Sequence, residues 1–119
     1  MWIELLQGKL HRIRVTDCDL NYEGSLGVDR DLIEQAGMLP NQVVQVFNIT
    51  TGNRFSTYLI PKPHGSKACQ VNGAAARLCA VGDRLIVLTT VHLTTEEAAA
   101  HRPTVLLMND ANEVESSHH

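Results

Sequence analysis

The chain has 119 residues, 44% hydrophobic and 19% charged, with a formal net charge of −3 and an isoelectric point near 6.0. That length suits one domain burying roughly two-thirds of its extended-chain surface. The acidic balance and the few aromatic residues (Trp2, Tyr22, Phe47, Phe55, Tyr58) argue against nucleic acid as a partner, which needs a basic footprint and stacking platforms.

Residues 2–6 are a short apolar strand halted at Gly8. Lys9 to Val15 then alternates with period 2, with Leu10, Arg12 and Arg14 on one face and Lys9, His11, Ile13 and Val15 on the other. Several cationic or titratable groups on one strand suit a polar pocket or interface, and equally a solvated edge strand, which periodicity favours. The opening residues are too few, and Glu4 comes too early, for a secretory signal, and no apolar run approaches membrane-spanning length. Cys18, Cys69 and Cys79 are odd in number and lack C-x-x-C spacing. Free thiols in a reducing cytoplasm are therefore expected, with no disulfide framework and no metal site.

Asp17 to Tyr22 reads as loop running into a short strand that ends at Gly24-Ser25, a turn-like pair. Asp29 is a plausible N-cap for a helix carrying Leu32, Ile33 and Ala36 on one face, with Gly37 at its C′ position. Gln42 to Ile49 is a β-branched strand, Thr51-Gly52-Asn53 a turn, and Arg54 to Ile60 the returning strand. Alternation places Arg54, Ser56 and Tyr58 together and Phe55, Thr57 and Leu59 opposite. Pro61 to Ser66 is a surface loop.

Ala68 to Val71 is a short strand, and Asn72 caps a brief helix of small residues from Gly73 to Leu78. Arg84 to Val91 is a strongly apolar strand. Thr94 with Glu97 three residues on matches a capping box, opening a helix to about Arg102. Thr104 to Met108 is a last strand. Residues 109–119 form a polar, frayed tail, and His11, His64, His92 and His101 show no ligand spacing. The pattern is mainly β, a small antiparallel or mixed barrel over residues 1–108 with a few short helices.

Four blocks stand in unbroken order: Gly8-Lys9-Leu10-His11-Arg12, Tyr22-Glu23-Gly24-Ser25, Asn48 to Tyr58, and Val71-Asn72-Gly73-Ala74-Ala75-Ala76. Gly82-Asp83 and Glu96-Glu97-Ala98 continue the series. In these blocks the chain resembles the pyruvoyl-dependent aspartate 1-decarboxylases over nearly all its length. The resemblance implies a double-psi β-barrel, a homotetramer, a cytoplasmic location and a possible maturation factor. Asn21 stands where many members carry His, and Phe47 where a larger or hydroxylated aromatic is common.

The resemblance also implies self-cleavage between Gly24 and Ser25, giving chains 1–24 and 25–119. The Ser25 hydroxyl attacks the preceding carbonyl, the amide becomes an ester, and elimination and hydrolysis leave a covalent pyruvoyl group as the only cofactor. Glycine at 24 suits a strained backbone approached closely by the nucleophile, and Thr57 is the hydroxyl that supports charge on the Gly24 carbonyl. The ketone accepts a substrate amine and draws electrons as a carboxylate leaves, and Tyr58 returns the proton. Arg54 and Lys9 serve the substrate carboxylates, with Arg54 expected on the retained one. Asn72, Gly73, Ala74 and Ala75 supply N–H groups and close approach at a helix start. The implied reaction turns L-aspartate into β-alanine and carbon dioxide for pantothenate synthesis. The alternatives are an unprocessed barrel paralogue with a binding role, or a pyruvoyl enzyme for another acidic amino acid, since one methylene gives only about 1–3 kcal/mol of discrimination.

Overall fold

The computed structural model describes residues 1–119, whose β-branched and alternating runs form nine strands. They are β1 (Trp2–Arg14), β2 (Asp17–Asp19), β3 (Ser25–Asp29), β4 (Val43–Asn48), β5 (Arg54–Lys62), β6 (Cys69–Asn72), β7 (Arg84–Thr94), β8 (Thr104–Met108) and β9 (Val114–His118). Helix α1 (Arg30–Gln35) follows β3, a 3₁₀ helix (Gly73–Leu78) follows β6, and the single turn α2 (Thr95–Ala98) follows β7. The strands join in one mixed sheet in the order β2-β6-β3-β5-β4-β7-β1-β8-β9. The pairs β1–β8, β2–β6 and β3–β5 are parallel, and the rest antiparallel.

One apolar cluster takes side chains from β1 (Leu10, Ile13), β3 (Leu26, Val28), β4 (Val44, Val46), β5 (Leu59), β6 (Val71), β7 (Leu85, Val87) and β8 (Leu106, Met108). A sheet that sends alternate residues of so many strands to one cluster must curl around it. The mainly-β reading stands, and each buried Leu or Val here contributes about 1.5–3 kcal/mol. Helix α1 closes the cluster with Leu32 and Ile33. Its cap is as expected: the Asp29 carboxylate accepts from Asp31 N, and Gly37 has φ +72°.

Four expectations are corrected. The runs 2–6 and 9–15 are one strand, with register shifts between Leu6 and Gly8 and between His11 and Ile13. At the second shift Arg12 adopts φ +74°, so Leu10 and Ile13, three apart, both face the core, which strict alternation forbids. Residues 25–29, read as turn and cap, are the fully buried strand β3. Strand β5 continues through Pro61 because its last residues pair with β3 at Val28 and Asp29. Finally, residues 109–119 are not a frayed tail. Asn112 is buried, its amide donating to the Arg14 and Lys67 carbonyls while its Oδ1 accepts from Arg14 N. Strand β9 then pairs with β8 as an exposed edge, where polar side chains are at home and composition alone conceals the strand.

Candidate active site

Ser25 opens β3 and lies opposite Asn72, the last residue of β6. Its side chain is 1% exposed. The Asn72 amide Nδ2 donates to Ser25 Oγ at 3.0 Å, and the Ser25 hydroxyl donates to the Glu23 carbonyl at 3.1 Å. Asn72 is fully buried and its Oδ1 has no hydrogen-bond partner. A buried acceptor left open costs free energy, and this one lies beside a buried hydroxyl.

Gly24 differs from what sequence suggested. Its φ is not in the left-handed region, and a Cβ built on it would meet nothing within 4 Å. The backbone there is exposed and opens into a cavity of about 260 Å³. Phe55, Thr57, Asn72, Ala74 and Ala75 line this cavity together with Gly24. Thr57 and the small-residue segment thus share this cavity with Gly24. No charged side chain lines the cavity.

The segment 73–78 is a 3₁₀ helix, and the Asn72 side chain does not cap it. The cap expectation fails because the Nδ2 bond to Ser25 Oγ orients the side chain so that Oδ1, the atom a cap would use, meets no N–H donor. The far end of this helix is held by Asn48, the last residue of β4, and by Asn53 in the turn that follows. Asn48 donates from Nδ2 to the Leu78 carbonyl (3.1 Å) and to Asp83 Oδ2 (2.9 Å), while its Oδ1 accepts from Thr50 N and Thr51 N. Asn53 adds a 3.3 Å bond to the same Leu78 carbonyl. Asn48 and Asn53 lie inside the N-I-T-T-G-N block, the one signal that could have pointed to them.

Lys9, Arg54 and Tyr58 are not among the residues lining the Gly24 cavity. They belong to the outer face of β1, β7, β4 and β5. One cross-strand row runs His11–Ile86–Phe47–Arg54 and the next Lys9–Leu88–Gln45–Ser56, with Tyr58 beside Val43. The Arg54 guanidinium lies 4.3 Å from the Phe47 ring centroid and has no acidic partner, so its charge is held by a ring face and stays available. Burial, with help from Lys9 and Arg12, lowers the His11 pKa, and its buried Nδ1 has no partner. Lys9 and Arg54 therefore share one sheet face, apart from the Ser25 cavity, and β1 is an interior strand between β7 and β8 in place of the solvated edge that periodicity favoured.

Two further groupings stand away from this corner. Asp31, Glu34 and His64 offer ligand atoms within 4.8 Å of one another on the surface, with His64 bonded to Asp31. The three thiols are free; burial pushes Cys79 up to about 11 against the opposing Asn48 bond, and raises Cys18 and Cys69 as well. No helix is long and apolar enough to cross a membrane.

The family model described as aspartate decarboxylase matches residues 1–115. The aspartate 1-decarboxylase of Phenylobacterium zucineum is 52% identical over 117 residues, covering 98% of this chain and 99% of that protein. That of Caulobacter vibrioides is 51% identical over 112 residues, covering 94% and 95%. That of Bordetella pertussis is 49% identical over 110 residues, covering 92% and 90%.

Proposed function

The chain belongs to the aspartate decarboxylase family, and from that membership and the corner around Ser25 we propose that it cleaves itself between Gly24 and Ser25 and then converts L-aspartate to β-alanine and carbon dioxide for pantothenate synthesis. The observation that carries this reading is the Ser25 hydroxyl, buried and held by Asn72, next to a Gly24 backbone open to a cavity.

In the cleavage, the Ser25 Oγ–C bond to the Gly24 carbonyl forms as the C–N bond breaks, and the hydroxyl proton ends on the Ser25 nitrogen. Loss of the Ser25 α-proton with departure of the Gly24 carboxylate, then hydrolysis with release of ammonia, completes the conversion. Asn72 orients the nucleophile. Two hydroxyl side chains stand on the wall shared with Gly24; Ser56 Oγ is already bonded to Gln45 Oε1 at 2.9 Å, which leaves Thr57 as the one suited to stabilise charge on the attacked carbonyl.

The residues fit a pyruvoyl group at position 25. The site is buried, has a neutral amide beside it, and opens to space for one small amino acid. Such a group supplies an electrophilic ketone and electron sink for the departing carboxylate. Ala74 and Ala75 allow close backbone approach.

Two carboxylates on the substrate call for cations, and the cavity of one copy offers none. Lys9, Arg54 and Tyr58 stand together on the outer sheet face among half-buried apolar residues, Ile86 and Leu88. That arrangement supports an assembly of copies, the homotetramer that the family resemblance implies, in which this face of one copy completes the Ser25 cavity of another. Arg54 then grips the retained carboxylate with its planar fork, Lys9 balances charge, and Tyr58 returns a proton.

Intact-mass measurement after warm incubation tests the reading. Fragments 1–24 and 25–119 are expected, the second with a blocked, ketone-bearing N-terminus that borohydride links to labelled aspartate. A single uncleaved chain overturns unaided self-cleavage, and a cleaved chain that traps glutamate in preference to aspartate overturns the substrate.

A further inference from the structure

The residue following Asn72 has a relation to the cleavage point that its small size alone does not suggest. Gly73 is buried, opens the 3₁₀ helix and has φ +71°. A Cβ built on it would lie 2.6 Å from Gly24 Cα, 2.7 Å from Gly24 N and 3.2 Å from the Tyr22 carbonyl oxygen. All three atoms are backbone. A flexible side chain could swing aside, whereas here the Tyr22–Gly24 segment itself must move. The reverse is not true: a Cβ on Gly24 meets nothing. The tight side of this contact is Gly73.

We propose that Gly73 is a positioning residue for self-cleavage, its bare Cα forming the rest against which the Gly24 backbone is held for attack by Ser25. This rests on the cleavage reading given above. Asn72 and Gly73 are consecutive, and between them they fix both reactants: the Asn72 amide holds Ser25 Oγ at 3.0 Å, and Gly73 bears on Gly24 N and Cα. One stretch of backbone therefore sets the relative placement of nucleophile and carbonyl. Asn48 and Asn53 anchor that stretch at its other end through the Leu78 carbonyl. In the step itself, the Oγ–C bond forms while the C–N bond breaks and the proton passes from oxygen to nitrogen. Displacement of the Gly24 backbone by even part of an ångström takes the carbonyl carbon off that path, and misplacement of about 1 Å can cost roughly 10²-fold in rate.

The substitution Gly73→Ala tests this, with Gly65→Ala as control. Gly65 also has a left-handed φ, +75°, but its built Cβ meets nothing within 4 Å and it lies in an exposed loop. Both variants carry the backbone penalty of a side chain at positive φ, and only one carries the contact with Gly24. Cleavage is followed by intact mass, and folding by circular dichroism and thermal melting. The fold is measured again for Gly73→Ala in a Ser25→Ala background, where cleavage cannot intervene.

The expected result is a folded Gly73→Ala precursor cleaving at least about tenfold more slowly than wild type, with Gly65→Ala cleaving at the wild-type rate. Equal cleavage rates for Gly73→Ala and wild type overturn the inference. So does a Gly73→Ala chain that fails to fold in either background while Gly65→Ala folds, because the contact is then structural. Failure of wild type itself to cleave overturns the underlying reading instead, and so the two are distinguishable.

Discussion

The Asn72 side chain donates from Nδ2 to Ser25 Oγ at 3.0 Å, although Asn72 sits at the N-cap position of the 3₁₀ helix and a capping bond was open to it. An N-cap asparagine ordinarily stabilises its helix by roughly 0.5–2 kcal/mol. Here that contribution is forgone, and Oδ1 is left buried without a partner. The geometry serves the hydroxyl ahead of the helix.

Asn72→Ala separates these roles. Removing an open buried acceptor together with one neutral hydrogen bond of about 1 kcal/mol leaves stability nearly unchanged. The Ser25 hydroxyl keeps its bond to Glu23 O but loses the restraint from Asn72. Cleavage is expected to slow by about tenfold or more, consistent with loss of orientation. Time-resolved intact mass beside a thermal melt checks this; wild-type cleavage in a folded variant rules the restraint out.

Much of this was legible in the sequence, and each part that was not has its own physical cause. Alternation located β4 and β5 and put Thr57 and Arg54 on opposite faces, as found. Spacing alone gave the α1 cap at Asp29 and the capping box at Thr94. Strand β3 escaped because five buried residues show no alternation, and β1 because two bulges reset its period. The separation of Arg54 and Tyr58 from Ser25 follows from strand order: β5 presents one face to the barrel interior and one outward, and sequence does not say which face a second copy covers. The Asn48 anchor was hidden because an asparagine near the end of a strand shows nothing of a network until Asp83 and Leu78 are brought beside it.

Alkaline stability should report on Cys79. Burial raises its thiol pKa from the ordinary 9.0 to about 11, with the Asn48 bond opposing and nearby Cys18 and Asp83 reinforcing. A group whose folded pKa exceeds its unfolded one contributes stability that is complete below the unfolded value and is lost as pH rises toward the folded one. The urea midpoint is therefore expected to fall between about pH 9 and 11. Cys79→Ala should flatten that decline relative to wild type. An identical slope in the two proteins assigns the alkaline loss elsewhere.

Subunit complementation tests where the substrate cations come from. Arg54 lies over Phe47 on the outer sheet face and does not line the Gly24 cavity. Arg54→Ala homo-oligomers should cleave normally yet lose activity by about 10²-fold, since a charge-assisted bidentate pair contributes several kcal/mol of binding and orientation. Ser25→Ala homo-oligomers should neither cleave nor turn over. If Arg54 of one copy serves the Ser25 of another, co-expressing the two inactive chains restores activity in mixed assemblies, because some sites pair an intact outer face with a cleaved Ser25. If both residues serve the same copy, every site in the mixture stays defective and activity does not recover. Measuring β-alanine formation by the two purified parents and the mixed assembly, each at equal cleaved-chain concentration where cleavage occurs, decides between these arrangements.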